Sequence, residues 1–143
     1  MIELLIVVSI TILLTAMALP IYGNFQSSTY LNERTAEIIQ SIRTAQARSL
    51  ARVNDKPHGV YFDITASPDK FILYQGFDYP SRDTNYDRTV ILEDSLSLVT
   101  TTGNDLNFSR GLGTPSAIGN ITLANALGKS TVIAINSLGM VSD

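Results

Sequence analysis

A chain of 143 residues with a formal net charge of −3 and a pI of about 5.0 has room for one domain and its core, and lacks the basic footprint that nucleic acid binding requires. It contains no cysteine, which excludes disulfides and thiolate metal centres. Its mean hydropathy of +0.17 is high for a soluble domain, and the apolar excess sits at the amino end.

The chain opens MIELLIVVSITILLTAMALP, and across residues 1–19 the only ionisable side chain is Glu3. The hydroxyls of Ser9, Thr11 and Thr15 can be satisfied by bonding back to carbonyls of their own helix. About 19 residues at roughly 1.5 Å rise give a rod of about 28 Å, close to the hydrocarbon thickness of a bilayer. A removable secretory signal begins with positive charge, is shorter and ends in a small-x-small site. Here no Lys or Arg precedes the run and helical sequence continues beyond it, so a retained membrane segment is expected.

Pro20 and Gly23 mark a point where the helix should kink, loosen or melt. The helical period then resumes: Leu31, Thr35, Ile38, Ile39, Ile42, Ala45, Gln46, Ser49 and Leu50 fall near one face, with Asn32, Glu33, Arg34, Glu37, Arg43 and Arg48 mostly away from it. Stop signals at Val53-Asn54-Asp55, followed by Pro57, predict the helix end.

From there the period becomes alternating. Residues 58–65 and 70–77 read as a hairpin turning at Ser67-Pro68-Asp69. Residues 88–94, 96–102 and 105–110 read as short strands, 119–127 and 129–137 as a second hairpin through Gly128, and 138–142 as a last edge strand. Loops are expected at 78–87 and 111–119. The expected fold is α+β: a long N-terminal α-helix, kinked near Pro20, whose C-terminal half covers one face of an antiparallel β-sheet head. Its segments are an apolar helix suited to lipid or to protein on all sides (1–22), the amphipathic half of the same helix (23–54) and a β-rich globular head (55–143).

The opening stretch resembles the N-terminal helix of type IV pilins and type II secretion pseudopilins: Ile2-Glu3-Leu4-Leu5 matches the family's Ile-Glu-Leu core, and Pro20 lies at the family's usual distance beyond the glutamate. The runs IRTAQARSLARVNDKPHGVYFD and TVIAINSLGMVSD are similar to the helix-to-strand junction and final hairpin of the pseudopilin H and FimT-like subfamily. The pilin fold is what this resemblance implies, together with a prepilin peptidase, a processed and usually N-methylated terminus two residues before Met1, and pilus or secretion assembly machinery as partners. It also implies residence in the bacterial inner membrane before assembly. The subunit would then enter an extracellular pilus filament or a periplasm-spanning pseudopilus.

Glu3 is the leading functional candidate. A lone carboxylate at a helix centre in hydrocarbon costs about 2.5–3.5 kcal/mol on insertion scales, so a compensating partner is expected. The resemblance implies that this partner is the terminal amine of a neighbouring subunit, which sets assembly register. A second reading places Glu3 in the first helical turn near the membrane surface, where the helix dipole favours an acid. Both hold if they describe different states.

Asp83, Asn85 and Asp87 alternate like ligands of a calcium loop, with Asp94 at the closing position. Arg88 stands where such a loop needs glycine, and the closing acid is normally glutamate. The plainer reading is a solvated acidic loop with local Asx turns. His58, the only histidine, is expected to be an exposed turn residue. No nucleophile–base set, phosphate loop or His/Asp metal cluster appears, so no enzymatic activity and no cofactor other than calcium is expected. Asn107-Phe108-Ser109 and Asn120-Ile121-Thr122 fit the N-glycosylation pattern, which recurs by chance. Tyr74, Phe77, Tyr79 and Tyr86 cluster around the acidic loop as core or contact residues.

Three functions compete. The first is a structural subunit that homopolymerises through its N-terminal helix into a type IV pilus-like filament. The second is a minor pseudopilin at the tip of a secretion pseudopilus or pilus. The third is a membrane-anchored binding domain that stays monomeric. The roles that the resemblance implies for such a filament are adhesion, twitching, DNA uptake and protein secretion.

Overall fold

The computed structural model describes residues 2–142, except 17–24 within the first helix. The kink expected at Pro20 and Gly23 therefore lies outside the described residues. The protein is α+β. Helix α1 is assigned to Ile2–Leu50 and is described over 2–16 and 25–50. A 3-10 turn at Val53–Asp55 leads into β1 (His58–Asp63) and β2 (Lys70–Gln75). After a second 3-10 turn at Thr84–Tyr86 come β3 (Arg88–Ile91), β4 (Leu96–Thr100), β5 (Asp105–Phe108), β6 (Gly119–Asn125), β7 (Ser130–Ile135) and β8 (Val141–Ser142).

The eight strands form two antiparallel sheets of four, ordered β3-β2-β1-β5 and β4-β6-β7-β8, instead of the single sheet expected. Alternation in sequence says which side chains share a face but not which strand lies alongside. Both hairpins form as read. The departures are β5, which crosses back to pair with β1, and β4, which pairs with β6.

The two sheets and α1 enclose one core. It takes Val60, Phe62, Phe71, Leu73, Leu106 and Phe108 from the first sheet, and Leu96, Leu98, Ile121, Leu123, Ile133 and Ile135 from the second. The helix contributes Leu31, Ile38, Ile39, Ile42 and Ala45, the amphipathic stripe expected. Leu50 departs from that stripe and is half exposed. It lies at the last turn and packs its side chain over Gly113, where a Cβ would come within 2.7 Å of Leu50 Cγ.

The helix ends at Leu50, a turn earlier than Val53-Asn54-Asp55. Arg52 turns left-handed at φ 51°, ψ 40°, the conformation of a helix C-cap. The freed carbonyl of Ser49 accepts from Gly111 N at 2.8 Å, so the 111–119 loop closes the helix end.

Candidate assembly surface

From residue 2 to residue 16 every side chain is exposed. Ten large apolar ones, Ile2 and Leu14 at the ends of the series, lie between 45% and 74% exposed, on all sides of the helix. The helix satisfies its hydroxyls internally: Ser9 donates to Leu5 O at 2.7 Å, Thr11 to Val7 O at 2.7 Å and Thr15 to Thr11 O at 2.8 Å. Removing such a surface from water is worth about 1.5–3 kcal/mol per large side chain. For ten of them that is on the order of 15–30 kcal/mol, far too much to leave exposed to water. Glu3 lies in the first turn of this segment, exposed, and no cation among the described residues pairs with it. Among the described residues no helix is long and apolar enough to cross a membrane; the described apolar stretch, 2–16, is shorter than the roughly 20 residues a span needs.

The amphipathic half of α1 is fastened to the head by charge as well as by the core. Arg34 donates from Nε to both carboxylate oxygens of Glu93 at 3.1 Å and from Nη2 to Oε1 at 2.6 Å. Its Nη1 reaches Glu37 Oε2 at 2.6 Å. The bond from Arg34 holds the Glu93 carboxyl below its ordinary range, and the same bond, above all, raises Arg34.

The 78–87 loop is built, not loose. It folds over the outer face of the first sheet, where Tyr79 stacks on Tyr61 with ring centroids 3.7 Å apart and planes 8° apart. The Arg82 guanidinium lies 3.8 Å over the other face of Tyr79, and its Nε donates to Asp87 Oδ2 at 2.9 Å. Beneath them Tyr74 is 1% exposed; it lies against Gly59, where a Cβ would come within 2.6 Å of the phenol oxygen. Asp105, a residue sequence reading did not single out, anchors the arrangement. Its Oδ1 accepts from the Tyr74 hydroxyl at 2.5 Å and its Oδ2 from Tyr79 N at 3.0 Å. Burial first, then this bond, pushes the Tyr74 phenol upward. The tyrosines are thus spent largely on the loop's own structure, while Phe77 and Tyr86 remain exposed.

The four residues considered for calcium do not converge. Asp83 Oδ1 accepts from Asn85 N at 3.1 Å and Asn85 Nδ2 at 2.9 Å, capping the short 3-10 turn. Asp87 is held by Arg82 through Oδ2, and its Oδ1 is buried with no described partner. Asp94 lies beside Ala66–Asp69 at the far end of β2, whereas Asp83 N bonds to Gln75 O at the near end. The six residues of β2 separate those ends by about 17 Å. Among the described residues no group of three or more His, Asp or Glu side chains is placed to hold a metal ion.

His58 is buried, 2% exposed, and not an exposed turn residue. It opens β1 between β2 and β5, opposite Gln75 and Phe108, with its N–H bonded to Ser49 Oγ at 2.8 Å. The flanking Pro57 and Gly59 suggested a turn, but the pairing on both edges begins at His58 itself. Its Nδ1 has no described partner, and desolvation, then the charge of Arg48, lowers its pKa. Of the two glycosylation patterns, Asn107 donates its amide to Tyr74 Oη and Gly76 O, both at 2.9 Å, while Asn120 is exposed.

No protein-family model matches the chain, and neither the curated proteins nor the solved structures contain a similar one.

Proposed function

We propose that the chain is a structural subunit of a type IV pilus-like filament, anchored by its N-terminal helix in the inner membrane before assembly and homopolymerised through that helix afterwards. The observation that carries this reading is the 2–16 segment: helical, apolar on every side, exposed throughout, and interrupted by one carboxylate. Such a helix needs lipid or other helices around it, and a polymer of identical chains supplies the second after a membrane has supplied the first. The resemblance of Ile2-Glu3-Leu4-Leu5 and Pro20 to the pilin and pseudopilin motif supports the same reading. The long kinked helix of a pilin, with Pro20 and Gly23 as its weak point, belongs to this proposal. In it the head acts as filament surface and performs no catalysis.

Glu3 then sets register by pairing with a terminal amine of the next subunit, since burial strengthens an opposite-charge pair and penalises an unpaired one. Electron microscopy of cells or membranes producing the full chain tests this. Long filaments are expected from the native chain and few or none from Glu3→Gln, with the variant still found in the membrane fraction. Membrane-bound chains that never form filaments, native or variant, would instead support the monomeric anchor. Filaments that appear only when another pilin is supplied would mark a minor subunit.

A further inference from the structure

The second sheet is unfinished along one edge. The bond from Asn125 N to Lys129 O turns the backbone groups of odd-numbered β7 residues towards β6, and that from Asn136 N to Met140 O turns even-numbered ones towards β8. β8 pairs only with Ala134 and Ile135. Ser130 and Val132 therefore aim their N–H and C=O groups outward, with no partner among the described residues. Beside this edge runs an open groove of about 480 Å³, lined by Asn32, Thr35, Ile39, Gln40 and Arg43 of α1 and by Thr131 of β7. The helical stripe from residue 32 to residue 43 is about 16 Å long, enough for four or five extended residues.

Charge says what fits. Among the described residues Arg43 is the one charged side chain lining the groove; it reaches Val141 O at 3.4 Å and pairs with no carboxylate among them. Lys129, at the other end of the bare edge, donates to Ser28 Oγ at 3.2 Å and likewise has no carboxylate partner there. A sheet edge with two unpaired residues, flanked by a cation at each end, is a template for a strand carrying acidic residues. Side chains facing the helix would meet Thr35 and Ile39, which accept small β-branched groups.

We propose that this groove is a docking site for an acidic extended peptide of a partner protein, which adds to β7 as a strand in line with β8. The inference does not depend on the filament reading. Four backbone hydrogen bonds hold the peptide, and Arg43 and Lys129 select its carboxylates.

Amide hydrogen exchange on the full chain in detergent micelles tests it, with two synthetic probes: Ac-Asp-Val-Thr-Val-Asp-NH2 and its counterpart with both Asp replaced by Lys. The acidic peptide should slow exchange at Ser130 and Val132 by about tenfold or more; the lysine peptide should not. Arg43→Glu should weaken the acidic peptide at least about fivefold and favour the basic one. Val132→Pro should abolish protection, since an edge position tolerates proline but loses the donor. If that variant unfolds, Arg43→Glu still decides. Unchanged exchange at Ser130 and Val132, equal protection by both peptides, or protection shared with the β3 and β4 edges would overturn the proposal.

Discussion

Arg34 on the helix holds Glu93, 59 residues further along the chain, through three hydrogen bonds from two nitrogens to two oxygens. Glu93 lies between β3 of one sheet and β4 of the other, so the pair fastens the helix where the chain changes sheets. Both side chains are 23% exposed, too covered to be an ordinary surface pair and too wet for an isolated buried one.

Removing either partner should therefore cost about 1–2 kcal/mol, in the range of a charge-assisted hydrogen bond. Arg34→Ala is the more damaging single change, since it also releases Glu37. In a double-mutant cycle with Glu93→Ala, melting in detergent should show a favourable coupling of about 1 kcal/mol. A coupling near zero would reduce the pair to a surface contact.

His58 gives the head an acid-sensitive step. Burial, then Arg48, lowers its pKa below the ordinary 6.5, so the unfolded chain binds the proton more readily than the native one. Stability is complete above about pH 7 and falls as pH drops through the unfolded value near 6.5, until the native His58 itself protonates. The carboxyl groups of Glu93 and Asp63 also have lowered values, and their contribution is lost only further down, below about pH 5. With one histidine in the chain, a loss between pH 7 and pH 5 has a single side-chain source. His58→Gln should flatten urea-derived stability across that window while leaving the decline at lower pH.

Asp105 should be the pin of the 78–87 loop. Asp105→Ala leaves the buried Tyr74 hydroxyl and the Tyr79 N–H without their acceptor, a loss of about 1–3 kcal/mol. Limited proteolysis should then cut within 78–87 at protease levels that spare the native chain, because opening the loop no longer breaks these bonds. Equal resistance of both would mean that the Tyr61–Tyr79–Arg82 stack suffices alone.

Calcium should leave the melting temperature unchanged. A site filled at a hundredfold excess over its Kd would add about 2.7 kcal/mol. The separation of Asp83 from Asp94 along β2 gives the ion no common shell. A rise in Tm with calcium that Asp83→Ala removes would show that the loop rearranges to bind.

Much of the fold was legible because local period and burial agree. Leu31, Ile38, Ile42 and Ala45 form the helical stripe, and the breaks at Pro68 and Gly128 place both hairpins. The partition into two sheets was not legible, because nothing in Leu96–Thr100 says whether β3 or β6 will lie beside it. The same limit hid Asp105 and misplaced His58: each acts through residues brought near by strand pairing, Asp105 through Tyr74 and Tyr79, His58 through Gln75 and Phe108. The bare edge of β7 follows from the brevity of β8, which the pattern at 138–142 overstated. Glu3, in contrast, needed no tertiary information, since a lone charge in an apolar run is visible in one dimension.

The exposed segment and the head should be separable in stability and inseparable in solubility. Among the described residues the core cluster starts at Leu31, and no residue of 2–16 contributes to it. A chain beginning at Asn24 should therefore melt within about 1 kcal/mol of the full protein, since residues 2–16, the described part of what it loses, add nothing to the core. It should also sediment as a monomer without detergent, because ten exposed apolar side chains leave with the segment. The full chain should require detergent, lipid or its own copies to stay dispersed. Glu3 alone does not restore solubility, since one carboxylate cannot offset on the order of 15–30 kcal/mol of apolar exposure. A truncated head that melts several kcal/mol lower would show that the segment folds back on the sheets, and with it the case for a free assembly helix would fall.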